Sequence, residues 1–254
     1  NTGSNYSFTA STLSAIYVHN FSTGASTAPP YTVTPNTFAT NLSNSSWTNS
    51  LSTSFTGSTG SSGTSLSVSN SGSSNYTYTL TFSVASGYKL SISSFNFWRQ
   101  RSTNGPQNWS MTINGTSVGS GSVPTTGASI GSTTVSSTIQ NLTGTITVVI
   151  SLTGSGGTGG TFRLDDFTLN GTVSINPVAP TVTTPTAASI TNNSALLGAN
   201  VTSDGNSSLT ARGTSFKTSS PVVATDNQLA EGGTSTGVFT QSRTGLAAQT
   251  LYYY

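Results

Sequence analysis

Alternation with a period of two residues constrains this chain more than any other feature. In "NYTYTLTFSV" the residues Tyr76, Tyr78, Leu80, Phe82 and Val84 share one face, and Thr and Ser occupy the other. "NWSMTIN" does the same with Trp109, Met111 and Ile113, and "GTITVVISL" with Ile146, Val148 and Ile150. Successive side chains of a strand point to opposite faces, so such segments read as half-buried strands. Gly, Asn and Ser clusters punctuate them, and no helical period appears. The chain is therefore expected to be all-β and built of sandwiches. In "SLSTSFTGSTGSSGTSLSVSNSGSS", residues 50–74, Leu66 and Val68 alternate with Ser, which predicts strand interrupted by loops.

Composition decides whether such a chain folds. Charged residues are only 5% of 254, and Ser and Thr supply the polar half of the pattern instead. Disorder usually goes with high net charge and few aromatics. Here the net charge is +2, and 11 Phe, 9 Tyr and 3 Trp are spread along the chain. A surplus of two charges gives nucleic acid nothing to grip, because phosphate binding needs clustered Lys and Arg. Zero cysteines exclude disulfides, thiolate metal sites and Cys nucleophiles. No apolar run approaches the roughly 20 residues of a membrane helix. Few charges and many hydroxyls suit an exported protein, and the start "NTGSNYSFTA" suits a mature form or a fragment.

A boundary falls at "SINPVAPTV", where Pro177 and Pro180 break ladder pairing. The expected domains are 1–176 and 180–254. In the second, "SALLGANVTSDG", "ARGTSFKTSS" and "TGLAAQTLYYY" resemble the fibronectin type III-like, immunoglobulin-type modules of secreted and surface proteins of Bacteroidota. The resemblance implies that Tyr252 forms a tyrosine corner. It also implies a further strand after Tyr254, so the module is expected to be incomplete through truncation, or else completed by a neighbouring chain. In the first domain, "YSFTAS", "SVASGYKLSISSFNFWRQRSTNGPQNWSMTING" and "GTFRLDDFTLNGTVS" resemble an exported β-sandwich module of bacterial surface proteins with C-terminal sorting signals. That resemblance implies a jelly-roll-like fold and an extracellular setting, and no activity.

No Asp or Glu precedes Asp165, which makes the pair Asp165–Asp166 in "RLDDFTL" the sharpest local question. His19 is the one histidine, with no acid near it in sequence and no nucleophile-elbow signature at any Ser. Two adjacent carboxylates on a strand cannot face each other across a glycosidic bond. Catalysis is not expected. Zinc lacks ligands, whereas calcium at Asp165 or Asp166 stays open, since backbone carbonyls can complete its shell. The structural alternative starts from parity: Phe162 and Leu164 share one, Phe167 and Leu169 the other, as a β-bulge would produce. One carboxylate then caps free backbone N–H groups, and the other meets Arg163, Arg99 or Arg101. For a sugar ligand, Trp47, Trp98 and Trp109 are the candidate platforms. Trp109 lies in an apolar row and is expected in the core, and Trp47 is undecided. Trp98 breaks the parity of Phe95 and Phe97 and stands beside Arg99 and Arg101 as a ligand contact.

Taken together, the expected protein is a non-catalytic extracellular structural component. It is read as an adhesin stalk or surface filament subunit that associates with copies of itself or with other surface subunits, because a near-neutral surface loses little charge hydration on packing. A carbohydrate-binding accessory module of a larger secreted enzyme is the alternative.

Overall fold

The computed structural model describes residues 14–22, 26–70, 72, 75–135 and 139–254. The segment "YSFTAS" lies outside the described residues. The chain divides into two compact units, Asn1–Ser174 and Ile175–Tyr254. No helix is long and apolar enough to cross a membrane among the described residues.

Unit 1 carries β1 (Ser14–His19), β2 (Thr37–Phe38), β3 (Leu42–Asn49), β4 (Thr56–Thr59), β5 (Thr64–Asn70), β6 (Tyr76–Val84) and β7 (Tyr88–Arg101). It continues with β8 (Asn108–Ile113), β9 (Thr116–Ser122), β10 (Ala128–Ser129), β11 (Thr133–Thr134), β12 (Thr145–Thr153) and β13 (Gly160–Ile175). One sheet follows the order β10-β7-β13-β1-β2, with β11 also on β7, β5 on β13 and β4 on β5. The other follows β3-β6-β12-β8-β9. The fold is an all-β sandwich.

Register explains why the alternating segments lie where they do. Against β6, Ile146, Val148 and Ile150 of β12 sit opposite Phe82, Leu80 and Tyr78. Against β8, Val148, Ile150 and Leu152 sit opposite Ile113, Met111 and Trp109. All of these are buried, so three strands place their apolar rows on one inner face. Their outward rows are mostly Thr and Ser, with Val149 of β12 and Asn108 of β8 among them. The biased stretch at 50–74 contains β4 and β5, paired from Thr56↔Ser67 to Thr59↔Thr64.

Aromatic rings tie the two sheets together. Phe167 of β13 meets Trp47 of β3 edge-on at 5.0 Å and stacks near Phe97 at 6.2 Å. Such pairs contribute about 1 kcal/mol each beyond the area they bury. Trp47 is fully buried, which settles its place. The β3 ladder shifts register between Ser43 and Ser46, with Asn44 at φ 61°. That bulge turns Trp47 inward opposite Leu80.

Unit 2 carries β14 (Thr181–Ala188), β15 (Ser194–Ser203), β16 (Gly213–Thr214), β17 (Leu229–Ala230) and β18 (Gly237–Thr244). β14-β15-β18 form one sheet and β16-β17 another. The two meet through Gln241, whose Oε1 accepts the Thr214 N–H and hydroxyl at 3.1 and 2.7 Å. The Tyr252 hydroxyl accepts the backbone N–H of Ala247 at 2.9 Å and fastens the bend before it. The buried apolar side chains of this unit are Ala195, Leu197, Val201 and Phe239. By contrast, every large apolar residue found exposed among the described residues belongs to unit 2, Val182, Ile190, Val238 and Leu251 among them. Two apolar clefts, of about 440 and 280 Å³, have Tyr254 in their walls.

Candidate functional site

The acid pair marks a hand-off between strands. The first part of β13, Gly160–Leu164, pairs with β5. The part from Phe167 to Gly171 pairs with β1. Asp165 and Asp166 stand in the gap, and Asp166 takes φ 49°. An unpaired residue at such a bulge leaves backbone donors free. Asp165, 1% exposed, serves two of them: Oδ2 accepts Ser61 N–H and Oδ1 accepts Asp166 N–H, both at 2.8 Å. A Cβ on Gly60 would lie 2.1 Å from Oδ2, so only glycine lets the turn after β4 approach this carboxylate. Burial raises the Asp165 pKa, and the amide hydrogen bonds oppose that rise.

Amide donors around a carboxylate are the wrong set for calcium, which needs oxygen ligands. Among the described residues no three His, Asp or Glu side chains gather. The Asp165 carboxylate, with both oxygens on amide donors, therefore does not fit calcium. The arginine partnership expected of it also needs correction, because the ion pairs among the described residues are Arg212–Glu231 and Lys217–Asp226. The ladder gap supplies the amide donors that the Asp165 carboxylate caps, as expected of one acid, whereas Asp166 makes no ion pair with Arg163, Arg99 or Arg101 among the described residues.

His19 is 2% exposed and stacks on Phe21 at 4.3 Å. Its Nε2 lies 3.1 Å from the Val33 carbonyl, and its Nδ1 lies 3.1 Å from the Phe21 backbone nitrogen. A carbonyl can only accept and an amide N–H can only donate, so the ring is neutral with its proton on Nε2. Burial lowers its pKa to about 4. Both nitrogens serve the backbone, and neither meets an acid.

Trp98 lies on the outer face of β7, in the row of Asn96 and Gln100, and is half-buried. Gly127, at φ 71°, packs on its ring, where a Cβ would come within 2.3 Å. Its indole N–H makes no hydrogen bond among the described residues. Arg163 of neighbouring β13 donates from Nη1 to Gln100 Oε1 at 3.1 Å, while its Nε is buried without a partner among the described residues. Arg99 and Arg101 do not join this row. Arg99 donates to the carbonyls of Ser122 and Ala128, and Arg101 to those of Val123, Ser102 and Thr103. Burial lowers the Arg99 pKa. These bonds clamp the end of β9 and the segment after it to β7. The cation beside the Trp98 row is Arg163, and cross-strand neighbours of this kind have no signature in sequence. Trp109 is in the core.

The chemistry this row offers is an indole edge, a planar amide and a planar guanidinium. No protein-family model matches the chain and no curated protein matches it. Among solved structures, a family 11 carbohydrate-binding module from Clostridium thermocellum in complex with a β-1,3-1,4-mixed-linked tetrasaccharide is 15% identical. It covers 52% of this chain and 89% of that one, at TM-score 0.30. TmCBM61 in complex with β-1,4-galactotriose is 14% identical over 51% and 88%, at TM-score 0.32. The family 11 module of the cellulosomal cellulase Lic26A-Cel5E of Clostridium thermocellum is 15% identical over 64% and 97%, at TM-score 0.33. With scores this low, none of the three bears on what this chain binds.

Proposed function

We propose that unit 1 is a non-catalytic glycan-binding module of an extracellular protein, using the Trp98–Gln100–Arg163 row as its contact surface. The observation that supports this is the half-exposed Trp98 ring, its N–H unpaired among the described residues, set beside two planar hydrogen-bonding groups. A sugar offers C–H faces for the ring and hydroxyls for the amide and guanidinium, and brings no charge that needs a counter-ion. Trp98→Ala is expected to weaken binding to neutral oligosaccharides on an array at least tenfold while leaving the thermal unfolding midpoint within a few degrees. Unchanged binding in the folded variant would overturn the reading.

A second reading, a subunit that assembles with copies of itself, is supported by the apolar surface of unit 2. Its exposed large apolar side chains include Ile190, Val238 and Leu251, and exposed apolar patches, where such side chains adjoin, mark contact surfaces. In 175–254 the cations Arg212, Lys217 and Arg243 balance the acids Asp204, Asp226 and Glu231, so two copies meet without net repulsion. Reversible dimerisation is expected in sedimentation velocity at tens of micromolar, abolished by Val182→Asp combined with Leu251→Asp. A monomer at every concentration would remove this reading and leave the glycan reading untouched.

A further inference from the structure

A separate cavity of about 390 Å³ opens between the edges of the two sheets of unit 1, lined by Thr32, Thr34, Pro35, Phe38, Asn44 and Ser45 among others. That size is at the small end of the range for ligand pockets. β2 is an edge strand of one sheet and β3 of the other. The β3 bulge that sends Trp47 inward leaves Asn44 and Ser45 at the cavity wall.

The hydrogen bonds behind Ser45 give its hydroxyl a direction. Trp47 Nε1 donates to the Tyr17 hydroxyl at 2.9 Å. Tyr17 Oη lies 2.9 Å from Ser45 Oγ. The phenol oxygen has accepted the indole proton, and burial keeps the phenol protonated by raising its pKa. Its own proton then goes to Ser45, whose hydroxyl proton is left to face the cavity. The opposite wall is fixed from behind as well. His19 holds the Val33 carbonyl between Thr32 and Thr34, and Asn36 Oδ1 accepts Asn20 N–H at 2.9 Å. Phe38, edge-on to Tyr17 at 5.6 Å and to Phe82 at 6.2 Å, and buried Pro35 supply apolar surface. No charged side chain is in the lining.

We infer that this cavity is a subsite for one neutral pyranose. Ser45 donates to a sugar oxygen, the Thr32 and Thr34 hydroxyls and the Asn44 amide exchange hydrogen bonds with its hydroxyls, and Phe38 and Pro35 meet its C–H face. The site is distinct from the Trp98 row and stands without it. Fully desolvated charge is absent, and a single sugar offers little area, so affinity is set by this donor and this ring.

The test uses the full chain and three probes, the methyl β-pyranosides of glucose, galactose and mannose, titrated to tens of millimolar. Saturation-transfer NMR reads binding, and the Trp47 indole N–H resonance reads the relay. At least one probe is expected to bind saturably and to shift the Trp47 resonance. Ser45→Ala is expected to weaken that binding at least tenfold, Ser45→Thr to restore it, and Trp98→Ala to leave it unchanged. Phe38→Leu, which keeps the core filled, is expected to weaken it several-fold. Failure of all three probes to bind would overturn the assignment, as would binding indifferent to both Ser45→Ala and Phe38→Leu. Loss on Trp98→Ala alone would move the sugar to the other surface.

Discussion

Replacing Asp165 with alanine is expected to destabilise unit 1 by about 3 kcal/mol at neutral pH, the loss of two charge-assisted hydrogen bonds to partly buried amides, less the carboxylate's own desolvation. The N–H groups of Ser61 and Asp166 have this carboxylate as their acceptor. Asp166 sits where β13 leaves β5 and joins β1, and Ser61 in the turn between β4 and β5, so no ladder bond replaces the loss. For a unit of this size the unfolding midpoint falls by roughly 6–12 °C. Asp165→Asn keeps one accepting oxygen but turns an amide N–H toward another N–H, and should lose somewhat less. Denaturant titration monitored by tryptophan fluorescence measures both. A loss below about 1 kcal/mol for Asp165→Ala would mean that the carboxylate's desolvation cost offsets its bonds.

Acid should weaken unit 1 through its one histidine. His19 has a pKa of about 4 in the folded protein against 6.5 when solvated. A depressed folded pKa means that the unfolded chain binds the proton more tightly. The contribution is therefore complete above pH 6.5 and is lost as pH falls from there through 4, by about 3 kcal/mol in all. The cause is visible in the bonds: a proton on Nδ1 would face the Phe21 N–H. The lowered pKa values of Asp226 and Glu231, set by Lys217 and Arg212, act at lower pH and in unit 2. The raised pKa of Asp165 works in the opposite sense, since protonation of that buried carboxyl as pH falls favours the folded state. His19→Gln should be less stable at pH 7 and flat between pH 6.5 and 5. A wild-type stability that is level across that interval would contradict a neutral, buried His19.

Much of this architecture was legible because apolar alternation survives in β6, β8 and β12, and the β6–β12 and β12–β8 pairings run without slippage. The bend in β13 could also be read, since Phe162 and Leu164 change parity with Phe167 and Leu169 across the acid pair. That one carboxylate caps free amides at this bend was legible too, but not which amides. Ser61 is far away in sequence, and backbone amides leave no mark there. Trp47 was hidden because the bulge at Asn44 breaks the alternation around it. The Trp98 row was half legible: parity set the indole outward, but its guanidinium neighbour belongs to β13 and not to Arg99 or Arg101 beside it. The Ser45 cavity had no signal at all, being made where two sheet edges come together.

The three indole N–H resonances give the most direct test of where unit 1 binds. Trp47 and Trp109 are buried, and Trp98 is half-exposed. On titration with a panel of neutral oligosaccharides, the Trp98 resonance is expected to move in a saturable way while Trp109 stays fixed. A Trp98 resonance that no oligosaccharide shifts, in a protein whose fold is intact, would contradict a glycan-binding role for this face.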